Sequence, residues 1–70
     1  MMFHNIEIPD NLTVSENDDT CTISSGEWSL QIQFDHDMDQ YYILDSKGAW
    51  ISTHAYFSNA VLKSVKILTA

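Results

Sequence analysis

Alternation of apolar and polar positions is strictest over residues 28–34, where Trp28, Leu30, Ile32 and Phe34 alternate with Ser29, Gln31 and Gln33. A period of two gives a strand one apolar face and one polar face. A sheet with one wet face is normally antiparallel. Upstream, Cys21 and Ile23 alternate with Thr20, Thr22 and Ser24, and Ser25-Gly26-Glu27 reads as the hairpin turn between the two strands. Downstream, residues 35–39 interrupt the pattern as a polar loop. A strand resumes at 40–44 with Tyr41, Tyr42, Ile43 and Leu44, all good strand formers. Asp45-Ser46-Lys47-Gly48 offers a tight turn, with Gly48 free to take positive φ, and residues 49–53 pair back from it. Near the start, Met2, His4, Ile6 and Ile8 share one parity and predict a first strand over 2–8. Pro9-Asp10-Asn11 is a turn signal, and Leu12 and Val14 add a short strand.

The period changes after residue 56. Phe57, Ala60, Val61, Ser64, Val65, Ile67 and Leu68 fall within about 160° of a helical wheel, with Asn59, Lys63 and Lys66 opposite. Ser58 is the expected N-cap. Phe57 and Leu62 would then be the N′ and N4 residues of a hydrophobic staple. Lys63 and Lys66 sit where the helix dipole favours cations. The fold class expected is α+β: one domain, residues 1–70, with a small antiparallel meander of four to five strands and a C-terminal amphipathic helix packed on one face. The all-β alternative, a small sheet or barrel, keeps 61–68 as an edge strand. The expected core is Ile6, Ile8, Ile23, Trp28, Leu30, Ile32, Phe34, Ile43, Val61, Val65 and Leu68.

Charge changes this picture. All ten acids lie at or before Asp45, all three lysines at or after Lys47, and there is no arginine; the net charge is −7. Unpaired negative charge attracts cations or basic proteins and repels nucleic acid and anionic membrane. Hydrophobic content of 44% is too high for a disordered acidic tail. A chain of 70 residues buries roughly 60% of its unfolded surface, so its stability margin is thin. Cys21 is the only cysteine, which rules out an internal disulfide and fits a reducing, cytoplasmic setting. Met1-Met2-Phe3-His4 has neither the basic start nor the apolar run of a signal peptide, and no stretch approaches a membrane span.

The sharpest local pattern is Asp35-His36-Asp37-Met38-Asp39. Carboxylates at i, i+2 and i+4 open a calcium-binding EF-hand loop, but here the sixth position is Gln40 rather than Gly and the twelfth is Ser46 rather than Glu. A second reading is a presented acidic row. In an extended segment, alternate carboxylates stand about 6.5–7 Å apart, close to the spacing of phosphates along one nucleic-acid strand. Glu16, Asp18 and Asp19 form a second acidic cluster. Whether the two clusters share a face depends on strand order. His4, His36 and His54 are scattered and, with Cys21, give no short ligand pair for zinc. Cys21 has no adjacent base to activate it and reads as a small buried hydrophobe. No G-x-S-x-G, phosphate loop or dinucleotide fingerprint is present. No cofactor and no enzymatic activity are expected. One of the adjacent Tyr41 and Tyr42 must leave the core face, and Tyr41 joins Glu16, Asp18, Asp19, Asp35, Asp37 and Asp39 as an expected partner-binding residue.

Small size, many acids and no arginine point to a cytoplasmic inhibitor or interaction protein. Its expected partner is a basic protein or nucleoprotein complex, without direct contact to nucleic acid or membrane. In type, though in no motif, this profile is similar to nucleic-acid mimics of phages and mobile elements, some anti-CRISPR proteins among them. An immunity protein or antitoxin that neutralises a basic nuclease toxin has the same composition. An accessory subunit docking through an apolar face is a third expectation.

Overall fold

The computed structural model describes residues 1–70. The elements in chain order are β1 (Met2–Phe3), β2 (Ile6–Glu7), β3 (Thr13–Glu16), β4 (Thr20–Ser25), β5 (Trp28–Asp35), β6 (Gln40–Asp45), β7 (Trp50–His54) and α1 (Phe57–Leu68). Strands β3 to β7 form one antiparallel sheet in sequence order, and β1 and β2 form a separate hairpin. The molecule is therefore α+β, and the all-β alternative fails because residues 57–68 are helical.

Register explains the layering. Cys21 stands opposite Ile32, Ile32 opposite Ile43, and Ile23 opposite Leu30. These side chains share one face and are buried there with Ile8, Leu12, Ala60 and Val61. Helix α1 lies on that face and contacts β4, β5, β6 and β7. Ala60, Val61 and Ser64 supply its buried stripe, and their small size suits close approach to the sheet. Ser64 is fully buried, yet its hydroxyl donates to the Ala60 carbonyl at 2.9 Å. The burial therefore strands no donor.

The opposite face has no covering element. Ser15, Thr22, Gln31 and Leu44 line up across it by register, beside Thr20, Gln33, Tyr42 and Thr53. None of them is buried. This is the wet face that the alternation in β5 predicts. Between β6 and β7 the register slips at Ile43/Leu44, so Ile51 bulges toward the core while Trp50 pairs with Leu44 on the open face.

Four expectations are corrected. Residues 2–8 are not one strand, because His4 (φ 50°) and Asn5 (φ 64°) take left-handed backbone and close a two-residue hairpin. Asn and His are among the residues that tolerate this region. The helix begins at Phe57, two residues early. Its N-cap is Tyr56, without any side-chain cap, and Ser58 is not the cap. The Phe57 ring packs at 6.0 Å from Phe3 and 5.6 Å from Tyr41, and that packing decides the start over the capping preference of serine. With Phe57 inside the helix the staple is lost, and Leu62 is 53% exposed. Trp28 is 74% exposed rather than core, since it opens β5 beside the hairpin turn. No helix is long and apolar enough to cross a membrane.

Candidate functional site

A meander reverses direction at each turn, so the β3–β4 and β5–β6 connections emerge at the same end of the sheet. Glu16, Asp18 and Asp19 therefore lie beside Asp35, Asp37 and Asp39. Backbone and side chains join the two loops. The Phe34 N–H donates to the Asp19 carbonyl at 3.1 Å, and His36 Nε2 lies 3.0 Å from Asp19 Oδ1. The N-terminal hairpin reaches the same end, with His4 Nε2 3.2 Å from Glu16 Oε2.

The six carboxylates have different roles. Asp35 is turned into its own loop. Its Oδ1 accepts the N–H groups of Asp37 at 2.9 Å and Met38 at 3.3 Å, and its Oδ2 accepts the Tyr42 hydroxyl at 2.6 Å. The Tyr42 hydrogen bond, helped by the two backbone donors and by His36, holds the Asp35 carboxyl below its usual pKa of 3.8 despite some desolvation. The same hydrogen bond, with partial burial, raises the Tyr42 phenol above 10.0. Asp39 has φ 54°, and residues 36–39 form a turn. Asp35, Asp37 and Asp39 are therefore not an extended row, and the match to a phosphate ladder is lost. Asp18, Asp37 and Asp39 are exposed and their carboxylates have no intramolecular partner. They are the free charges of this end.

Between the loops and the helix start lies a cleft of about 510 Å³. Glu16, Asp18, Asp19, His4 and His36 supply its polar lining, and Phe34, Tyr41 and Phe57 its aromatic one. Buried Cys21 and Ile32 are innermost. Tyr41 is thus a half-buried wall, its ring tilted between those of Phe34 at 4.9 Å and Phe57 at 5.6 Å, and not a freely presented side chain. Tyr42 is the tyrosine on the open face. Burial, and then the Glu16 carboxylate, push the Cys21 thiol up to about 11, which leaves it protonated and unreactive at neutral pH. No three His, Cys, Asp or Glu side chains converge in a way that would hold a metal ion.

His4 escaped the sequence reading because its contact with Glu16 spans twelve residues and depends on the His4-Asn5 turn. The left-handed tolerance of Asn5 is the signal that could have revealed it. None of the three lysines forms an ion pair; all lie away from this end, at the β6–β7 turn or on the exposed side of α1.

The chain matches no protein-family model, no curated protein sequence and no solved structure.

Proposed function

We propose that the protein is a binding module, not an enzyme, and that its acidic end occupies a basic surface on a larger partner. The partner class is a protein or nucleoprotein complex whose basic surface serves nucleic-acid binding, so that occupation inhibits it. One observation carries the reading: two loops distant in sequence place six carboxylates at one end of the sheet, with no lysine among them. Clustered charge of one sign steers a complementary partner and speeds encounter. The phage-type nucleic-acid mimic and the immunity protein or antitoxin are two settings of this chemistry, and the captured partner tells them apart.

The test is capture from a cytosolic lysate on the immobilised protein. A basic partner should be retained at low salt and released at about 0.5 M salt, where the Debye length falls to a few ångströms. The combined Asp18→Asn, Asp37→Asn and Asp39→Asn variant should lose it and free its nucleic-acid binding. Glu27→Gln, an exposed acid at the opposite end, should retain it. Retention indifferent to both salt and the triple variant would refute the proposal.

A further inference from the structure

The cleft between the acidic loops and the start of α1 has two unlike walls. Glu16, Asp18 and Asp19 stand on its rim, all exposed. Phe34, Tyr41 and Phe57 supply the aromatic wall. Each of these rings is only part-buried, so aromatic surface remains open to the cleft. The volume of about 510 Å³ falls within the range of small-ligand pockets, about 300–1,000 Å³. The carboxylates of this end divide around it, because Asp35, Asp37 and Asp39 do not line the cleft.

Charge complementarity selects the occupant. The lysines of the chain stay out of the cleft, and the N-terminal ammonium lies against Glu7 and Asp10. Glu16 and Asp19 meet only His4 and His36, each through a single ring nitrogen, and Asp18 has no partner. An anionic occupant would be repelled by all three rim carboxylates. A neutral apolar one would gain from the rings alone. A cation gains from both walls, because the face of an aromatic ring attracts positive charge as a carboxylate does. Among cationic side chains arginine matches both: its guanidinium is planar, stacks on aromatic faces and presents its N–H groups in a fork that fits carboxylates. The lysine ammonium is a compact, strongly hydrated point charge.

We infer that this cleft receives one arginine side chain of the basic partner, its guanidinium against the aromatic wall with Asp18 as the unpaired acceptor. The inference rests on the proposed function for the source of that arginine. It adds a specific site to a reading that otherwise needs only long-range charge. It also assigns different work to the free carboxylates: Asp18 belongs to the cleft, whereas Asp37 and Asp39 act outside it.

Titration with Nα-acetyl-arginine amide, followed by two-dimensional proton–nitrogen NMR, tests it. The amide signals of Thr20, Phe34, Tyr41 and Phe57 should shift and saturate between about 1 and 30 mM probe, a weak affinity suited to a single side chain. The lysine analogue should bind at least about threefold more weakly, and the norleucine analogue should leave the signals in place. Asp18→Asn should weaken arginine binding at least about threefold, whereas Asp37→Asn, outside the cleft at the same end, should change it less than about twofold. Tyr41→Leu keeps every charge and should also cost at least about threefold, with the far-ultraviolet circular dichroism of the parent. Signals unmoved by arginine overturn the inference, even where salt-sensitive capture upholds the acidic-end reading. So does a lysine analogue that binds equally well, or an equal loss on Asp18→Asn and Asp37→Asn. Failed capture with a saturating arginine response refutes the acidic-end reading and still supports an arginine-binding cleft.

Discussion

Cys21 is an internal reporter for the cleft at the acidic end. It is 2% exposed, and its thiol is raised from 9.0 to about 11 by burial first and by Glu16 second. The thiolate is the reactive form. At pH 8 a thiol with the ordinary value of 9.0 is about one-tenth ionised, whereas one at about 11 is ionised at about one part in a thousand. Iodoacetamide should therefore modify the native protein at least about 100-fold more slowly than the urea-unfolded chain, before any steric protection is counted. Raising the pH from 8 to 9 should speed the native reaction about tenfold. The unfolded reaction should rise only about fivefold, because it is already approaching its midpoint. Glu16→Gln removes the second cause and should accelerate the native reaction. The shift also bears on stability. The folded state favours the neutral thiol, so its contribution is complete below about pH 9 and is lost as the pH rises toward about 11, a loss of at most about 3 kcal/mol. A native rate within about threefold of the unfolded rate at pH 8 would place Cys21 in water and refute both the register of β4 and the closed inner wall of the cleft.

Two further outcomes test the division between structural and free carboxylates and the position of the core. Asp35→Asn weakens the charge-assisted hydrogen bonds that organise the β5–β6 loop, so it should lower the melting temperature, whereas Asp37→Asn and Asp39→Asn should leave it unchanged or raise it. Because the Asp35 carboxyl is held below 3.8 in the folded state, its contribution is present above that value and lost as the pH falls through the depressed one. The melting temperature of Asp35→Asn should consequently converge on that of the parent at low pH, and a constant gap from pH 7 to pH 2 would contradict this role. Ile43→Ala empties a fully buried site in the second strand from the sheet edge and should cost about 2–5 kcal/mol by urea titration. The total for a chain of this size is about 3.5–10 kcal/mol, so much of the variant should be unfolded at 37 °C. A cost under about 1 kcal/mol would remove Ile43 from the core.

Periodicity located the elements well where one face is buried and the other is wet. The alternation in β5 and the turn at Asp45–Gly48 appear as read, with Gly48 at φ 84° and Asp45 Oδ1 accepting the N–H groups of Lys47 and Ala49. Failures came where tertiary contact overrides a local rule. Parity over 2–8 failed because two consecutive left-handed residues, His4 and Asn5, reverse the chain, which leaves Met2 exposed and packs Phe3 against the core. Serine capping at 58 lost to aromatic packing of Phe57. Trp28 fits the alternation of β5 perfectly, and its exposure follows only from lying at the strand end next to a turn. Of the site, the six carboxylates were visible in the sequence. The distinction between Asp35, bound into its own turn, and the free Asp18, Asp37 and Asp39 was not, because it depends on Tyr42 arriving from the neighbouring strand.

The joining of the two acidic loops follows from topology rather than from any pairwise attraction. In an antiparallel meander, connections one and three must emerge at one end and connections two and four at the other. Here the first and third connections carry Asn17-Asp18-Asp19 and His36-Asp37-Met38-Asp39, while the second and fourth carry Gly26-Glu27 and Ser46-Lys47-Gly48-Ala49. A charge asymmetry that runs along the sequence thus becomes an asymmetry between the two ends of a sheet. Like charges gathered this way repel, and the fold meets that cost with His36 beside Asp19, His4 beside Glu16, and Asp35 withdrawn into its turn. Those contacts tie down three of the six carboxylates and leave Asp18, Asp37 and Asp39 facing solvent. A surface meant only for solubility would gain from spreading such charges over the molecule, because self-repulsion falls with distance. Under the proposed function, a basic surface placed against these three free carboxylates would offset that repulsion.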